Sequence, residues 1–141
     1  NPSLAKNESE KKILSVLDDI RVGPCTDEMN GRLLRILAES TKAKNIVEIG
    51  TGNGYSAIWL CLGLKTTGGK LVTHEIDYKM ALLAKANFKR AGVENLVTVV
   101  EGDAHHTVAL LKEPIDILFM DAEGVTWTIS TSFFPWSVQV D

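Results

Sequence analysis

The chain has 141 residues, 45% of them apolar and 23% charged, and a formal net charge of −3. This length fits one domain with its own core, and these proportions argue against a disordered chain or a membrane protein. The acidic balance and the absence of a Lys/Arg run give no electrostatic support for nucleic-acid binding. Cys25 and Cys61 lie far apart with no C-x-x-C motif, so we expect reduced thiols in a cytoplasmic protein.

Two amphipathic helices are predicted before the first strand. The first, over residues 8–20, should end at Gly23-Pro24 and carries apolar side chains at helical spacing: Ile13, Val16, Leu17 and Ile20. The second, over about residues 27–40, should begin after an N-cap at Thr26. Its apolar residues predict a single packed face: Met29, Leu33, Ile36 and Leu37.

The central motif runs from Asn45 to Ser56, where a short apolar strand leads through a glycine turn into a helix. Glycines at 50, 52 and 54 let a ligand approach the main chain, next to the free N–H groups of a helix start. The dinucleotide fingerprint G-x-G-x-x-G needs a glycine at position 55, where Tyr55 stands. The motif is therefore G-x-G-x-G with an acid, Glu48, inside the strand. It is either a ligand-binding turn or a glycine-rich connection that binds nothing.

This stretch resembles the first motif of the class I S-adenosylmethionine (SAM)-dependent methyltransferases. Its closing Gly-Tyr-Ser is similar to the O-methyltransferase branch that includes catechol and caffeoyl-CoA methyltransferases. The resemblance implies that Glu48, the turn backbone and Ser56 hold the methionyl part of SAM. It implies that a helix before the first strand covers the cofactor, which makes Met29 a candidate contact. The cofactor-binding residues implied here are Glu48, Gly50, Thr51, Gly52, Gly54, Tyr55 and Ser56.

A second strand is predicted over residues 70–74, after a loop at 66–69, and it ends in Glu75-Ile76-Asp77. A carboxylate about 20 residues beyond the glycines, at the end of a second strand, can accept hydrogen bonds from both ribose hydroxyls. We therefore predict that Glu75 binds the ribose, with Ile76 beside it, and that Asp77 caps the next helix. The alternative is that Glu75 is only a solvated acid at a strand end.

The segment after the predicted third strand contains Gly102, Asp103 and Ala104. An acid here can accept a hydrogen bond from an adenine amino group, and the small neighbours leave room for the flat ring. The segment is similar to the same methyltransferase branch, which implies that Asp103 binds adenine and that Ala104 makes a backbone contact. Asp103 can also be the N-cap of a helix over 104–111. His105 and His106 point about 100° apart on a helix, so a shared metal ion is not expected.

The remaining elements complete an alternation of strands and helices. A helix over 80–90 stops at Gly92, a third strand follows over 96–100, and a fourth over 115–120 comes after Pro114. This order predicts an α/β fold with a parallel, Rossmann-like doubly wound sheet and right-handed crossovers. Ligands of such sheets lie beyond the carboxyl ends of the strands. The glycine turn, Glu75, Asp103 and Asp121 all follow such ends.

Asp121-Ala122-Glu123 resembles the fourth motif of the metal-dependent O-methyltransferases, in which the Asp holds a divalent cation and faces the reacting methyl group. The family's general base is a lysine three residues after this Asp, and here Gly124 stands in that position. The family's Asp-Asn pair of further ligands has no counterpart after Asp121. These departures argue against a divalent cation, although Asp121 is the candidate ligand, and they leave no catalytic base to name.

The resemblance divides the chain into a SAM-binding domain, residues 1–124, and a divergent tail, residues 125–141. Either the chain is a truncated or frame-altered version of a longer enzyme, or the tail forms an edge strand. The second alternative is favoured by alternating residues typical of a strand: Trp127, Ile129, Val138 and Val140. An uncovered apolar edge favours self-association, so a homodimer is expected.

The function implied is that of a SAM-dependent O-methyltransferase, or its cofactor-binding part, which methylates a hydroxyl group of a small molecule. The lost base and the tail favour an alternative, a catalytically inactive SAM-binding module. A nicotinamide-dependent oxidoreductase would keep the ribose contact of Glu75 but fails at Tyr55.

Overall fold

The structure, a computed structural model, describes residues 5–21 and 27–122. The Gly23-Pro24 stop and the tail lie outside these residues. A short 3-10 turn, Val108–Leu110, follows the last helix of the described part. The helices and strands are α1 Glu8–Ile20, α2 Glu28–Ser40, β1 Asn45–Ile49, α3 Tyr55–Thr67, β2 Lys70–Glu75, α4 Tyr78–Ala91, β3 Val97–Glu101, α5 Ala104–Thr107 and β4 Ile117–Met120.

The strands form one sheet in the order β3-β2-β1-β4, and every neighbouring pair is parallel. This confirms the predicted α/β fold, with shifts of one or two residues at several strand ends. The fourth strand begins at Ile117 rather than at 115 because Asp116 ends the preceding loop. Its carboxylate accepts hydrogen bonds from the N–H groups of Lys44 and Asn45, at 2.7 and 2.9 Å.

α3 lies at the centre of the molecule, in contact with α1, α2 and β2. Every residue from Tyr55 to Leu64 is buried, so this helix has no solvent-facing side over its first three turns. α4 packs against α1 and against the strands β2 and β3. Asp77 caps α4 by accepting from the N–H groups of Lys79 and Met80, and Gly92 ends it with φ +72°, as predicted. The glycine turn therefore leads directly into the most deeply buried element.

The predicted packing face of α2 is wrong. The four residues assigned to it are exposed, by 79, 52, 58 and 41%: Met29, Leu33, Ile36 and Leu37. The buried residues are Gly31, Leu34 and Ala38, which face α3. A Cβ on Gly31 would lie 2.3 Å from the indole of Trp59, so this close approach requires glycine. Periodicity of large apolar residues could not reveal a contact made by small ones.

Three boundaries also differ from expectation. α2 is capped by Asp27, whose carboxylate accepts from the N–H of Asn30 at 2.8 Å, rather than by Thr26. α3 continues through Thr67, so the loop predicted over 66–69 is a turn of two glycines. The helix predicted over 104–111 is a single α-helical turn followed by the 3-10 turn. None of these shifts moves a candidate site residue away from a strand end.

Candidate functional site

The carboxyl ends of the strands form one continuous edge in the structure. The N–H of Gly52 donates to the Glu75 carboxylate at 2.9 Å, which joins the glycine turn to the end of β2. The N–H of Gly102 donates to the Glu75 carbonyl at 2.9 Å, and the N–H of Asp121 donates to the Ile49 carbonyl at 2.8 Å. The segments that the sequence selected from separate strands are therefore neighbours in space.

The glycines of the turn have different local reasons to be glycine. All have positive φ, at +94°, +54° and +90° for Gly50, Gly52 and Gly54. A Cβ on Gly50 would lie 2.3 Å from the Asp121 carbonyl oxygen, and one on Gly54 would lie 2.7 Å from the Phe88 ring. A Cβ on Gly52 would meet no atom of the described residues within 4 Å. Packing thus explains the outer glycines, while none of the described residues packs against a Cβ position at Gly52.

A buried hydrogen-bond network lies behind the turn. Glu48 is fully buried, and its two carboxylate oxygens accept from the hydroxyls of Ser56 and Thr73, each at 2.6 Å. The Thr73 hydroxyl also lies 2.6 Å from that of Thr51. Burial raises the pKa of Glu48 to about 7, against the lowering effect of the two hydroxyl donors. The predicted site residues Glu48, Thr51 and Ser56 therefore face one another inside the protein.

Two asparagines that the sequence analysis did not select fix the turn on its other side. The Asn53 amide donates to the Ile20 carbonyl at 2.8 Å, and its oxygen accepts from the N–H of Tyr55 at 3.1 Å. The amide of Asn87 in α4 donates to the Asn53 carbonyl at 2.9 Å. The Asn87 side chain is buried. A polar residue at an apolar position of a helix pattern is the signal that could have found it.

The remaining candidates near β1 and β2 differ in exposure. Tyr55 is buried at the start of α3, with its ring edge-on to Trp59 at a centroid distance of 6.5 Å. Ile76 is 74% exposed directly after Glu75. The Glu75 carboxylate also accepts from the N–H of Asp77 at 2.9 Å, so both of its oxygens are oriented by main-chain donors. Ile76 thus provides an apolar surface beside an oriented carboxylate.

Asp103 caps α5, which confirms one of the two roles considered for it. Its carboxylate accepts from the main-chain N–H of His105 at 2.9 Å and lies 2.8 Å from the His105 ring nitrogen. The backbone hydrogen bond from His105, followed by its side chain, holds the pKa of Asp103 below the usual range. Ala104 is buried beside it, and Gly102 has φ +131°. The His105 ring is therefore directed at the Asp103 carboxylate.

A cavity of about 340 Å³ lies between α2 and the end of β4. Its lining combines apolar and polar side chains: Asn30, Leu33, Leu34, Phe119 and Asp121. Within residues 5–21 and 27–122, no group of three or more His, Cys, Asp or Glu side chains is arranged to hold a metal ion. No helix in the same ranges has the length and apolar character needed to cross a bilayer. Asp121 therefore lines the same cavity as the apolar residues Leu33, Leu34 and Phe119.

Comparison with known proteins identifies the family. A sequence model described as O-methyltransferase matches residues 8–129. The chain belongs to the O-methyltransferase family. A catechol O-methyltransferase from Niastella koreensis is 37% identical over 114 residues, and one from Mycobacterium tuberculosis is 36% identical over 111 residues. Each alignment covers 78% of this chain but 50 and 49% of the relative, so the chain spans about half the length of these relatives. The family match extends slightly into the tail that we expected to be divergent.

Solved O-methyltransferases share this fold. The Bacillus cereus enzyme, solved in complex with SAH, superposes with a TM-score of 0.68 at 34% identity, over 84% of this chain and 56% of that one. TomG from Streptomyces achromogenes, involved in tomaymycin synthesis and solved in complex with SAM, gives 0.68 at 33% identity, over 85 and 56%. These matches confirm the predicted Rossmann-like methyltransferase fold and the resemblance to the catechol O-methyltransferase branch.

Proposed function

We propose that this chain is a SAM-dependent O-methyltransferase, or the cofactor-binding part of one, that acts on a hydroxyl group of a small molecule. The observation that carries the proposal is the main chain at Gly52, which no described residue covers. It lies beside Glu75, at the edge of the sheet where the strands end. Ligands of parallel α/β sheets bind at this edge. Membership of the O-methyltransferase family, with relatives solved in complex with SAM or SAH, supports SAM as the cofactor. In this proposal residues 1–124 form the SAM-binding domain.

The proposed cofactor contacts follow the edge from strand to strand. The turn at Gly52 meets the methionyl part of SAM, supported from behind by Glu48 and Ser56. Each carboxylate oxygen of Glu75 carries one main-chain hydrogen bond and retains a second lone pair, so the group can still accept from the ribose hydroxyls. Asp103 accepts from the adenine amino group. Gly50, Thr51, Gly54 and Tyr55 shape the turn, and Ile76, Gly102 and Ala104 border the nucleoside.

The chemistry is an in-line displacement, in which the acceptor oxygen attacks the sulfonium methyl group and SAH leaves. The protein contributes by holding the two reactants at attack distance and in line. The cavity beside Asp121 is the proposed location of the methyl group and of the acceptor, whose apolar part would lie against Leu33 and Phe119. The named catechol O-methyltransferases among the relatives make a catechol the first acceptor to test.

The described residues do not fit the divalent cation that the metal-dependent members of the family use. Hard cations such as Mg²⁺ are held by several oxygen ligands in a defined geometry. Asp121 borders the cavity, yet the described part of the chain brings no group of three acidic or imidazole ligands together. No step of the proposed reaction is therefore routed through a metal ion.

Calorimetric titration of this 141-residue chain with SAM and SAH tests the cofactor proposal. We expect micromolar binding that is lost in Glu75→Ala and in Asp103→Ala. The control is Glu94→Ala, because Glu94 is exposed before β3, at the opposite end of the sheet. A folded chain that binds neither compound, or variants that bind as well as the parent chain, would contradict the proposal.

A catalytically inactive SAM-binding module is the second candidate. Gly124, at the position of the family's lysine, favours it. Transfer of a labelled methyl group from SAM to catechol separates the two candidates. Binding of SAM without transfer to any hydroxyl acceptor would favour the module.

A cytoplasmic location and a homodimer belong to the proposal as well. The widely spaced cysteines support a reducing compartment, and Cys61 is a free, buried thiol. The exposed apolar side chains of α2 support self-association. Light scattering at tens of micromolar should give the mass of two chains, and a monomeric mass would contradict the dimer.

A further inference from the structure

We propose that Thr73 is a positioning residue for the cofactor: its hydroxyl joins the Glu48 carboxylate to Thr51 and thereby fixes the glycine turn for SAM binding. The inference rests on the proposed function, because it concerns how the same turn is held. Thr73 itself is fully buried in β2 and has no surface with which to contact a ligand. Its effect on the cofactor must therefore pass through its neighbours.

The register of the sheet places Thr73 at the centre of the network. It lies directly opposite Glu48 in the parallel pairing of β1 and β2. Its hydroxyl is 2.6 Å from the Glu48 carboxylate and 2.6 Å from the Thr51 hydroxyl. A hydroxyl has one proton to donate, and an ionised carboxylate can only accept. When Glu48 is ionised, Thr73 therefore donates to Glu48 and accepts from Thr51.

The number of protons fixes the direction of every bond in this state. The hydroxyls of Ser56, Thr73 and Thr51 supply one proton each, for the contacts Ser56–Glu48, Thr73–Glu48 and Thr51–Thr73. Each contact receives one proton and no donor is left over. The side chain of Thr51 is therefore held in one orientation by a buried acceptor, where a lost partner is costly.

The orientation of Thr51 matters because it stands between Gly50 and Gly52. Glycines lose the most conformational freedom on folding, so a turn built from them needs anchors to hold a single shape. Thr51 is the side-chain anchor next to the open position at Gly52, and its carbonyl also accepts from the N–H of Gly54 at 3.0 Å. Removing the Thr73 hydroxyl frees this anchor at the place where we propose that SAM meets the main chain.

The test compares variants that differ by one hydroxyl. Thr73→Val removes the hydroxyl with little change of shape, and Thr73→Ser retains it. Thr98→Val is the matched control, because Thr98 is an exposed residue of the neighbouring strand β3. We expect Thr73→Val to weaken SAH binding by calorimetry about five- to tenfold, the value of one net hydrogen bond. The SAH affinities of Thr73→Ser and Thr98→Val should stay within about twofold of that of the parent chain.

A thermodynamic cycle with Thr51→Val separates this role from general destabilisation. If the two hydroxyls act through their shared hydrogen bond, the double variant should bind SAH about as well as either single variant. Additive losses, or full affinity in Thr73→Val, would overturn the inference while leaving the cofactor proposal intact. A folded parent chain that does not bind SAH would overturn both. If Thr73→Val does not fold, Thr51→Val and Thr51→Ser test the same bond from its other end.

Discussion

The buried carboxyl of Glu48 should make the stability of this protein decrease as the pH rises. Its pKa is about 7 in the folded chain, against an ordinary value of 4.5, because burial disfavours the charged form more than Ser56 and Thr73 favour it. Nearby Asp121 and Glu75 raise the pKa further. An acid with a raised pKa keeps its proton to higher pH when folded than when unfolded, so the free energy of unfolding falls across the interval between the two values.

The size of the effect follows from the shift. Each pKa unit corresponds to about 1.4 kcal/mol, so ionisation of Glu48 should lower the free energy of unfolding by about 3 kcal/mol between pH 4.5 and pH 7.5. The stabilising contribution is complete below about pH 4.5 and is lost above about pH 7. Glu48→Gln has no ionisable group there. Its free energy of unfolding, relative to that of the parent chain, should therefore rise by about 3 kcal/mol over the same interval.

Urea denaturation of both proteins at several pH values between 4.5 and 8 measures this difference directly. Comparing the two curves cancels the titration of all other groups that the variant leaves unchanged. Ser56→Ala provides a second check, since it removes a donor that lowers the pKa of Glu48 and should extend the decline to higher pH. Parallel curves for the parent chain and Glu48→Gln would refute the reasoning.

Three further predictions concern glycines that the structure explains differently. Gly31→Ala should destabilise the chain by about 1–3 kcal/mol, since the new methyl group overlaps the Trp59 indole, and urea denaturation would show it. Gly50→Ala should lower the thermal midpoint strongly because its Cβ meets the Asp121 carbonyl. Gly52→Ala should cost about 1–2 kcal/mol of folding stability, from its positive φ, but should weaken SAH binding disproportionately. A Gly52→Ala variant that binds SAH normally would contradict the open approach proposed at this position.

The fold could be predicted from the sequence because the local sequence patterns match the secondary structure that the folded chain adopts. Short apolar runs alternate with helical patterns along the chain. Asp77 and Gly92 mark the two ends of α4, as an N-cap carboxylate and a C-cap glycine with positive φ. The same agreement placed the candidate residues at strand ends, since parallel strands leave all their carboxyl ends at one edge. The order of the strands in the sheet made these ends neighbours.

The sequence failed where the decisive contacts involve small or distant residues. α2 packs against α3 through Gly31 and Ala38, which contribute little to a hydrophobic pattern. The spacing of the larger apolar residues therefore predicted the wrong buried face for this helix. The network around Glu48 depends on its pairing with Thr73, 25 residues away, which only the register of the sheet reveals. An isolated threonine in a strand looks like ordinary strand material.

The complete burial of the first turns of α3 has a consequence for how the protein moves. A helix enclosed on every side cannot open locally without disrupting its neighbours, so its amides should exchange with deuterium only through global unfolding. The glycine turn is continuous with this helix and is fastened to α1, α4 and β2. Half of the proposed cofactor site is therefore preorganised by folding itself, which reduces the ordering entropy that binding must overcome. The opposite wall, formed by the exposed side chains of α2, is where adjustment to different ligands would occur.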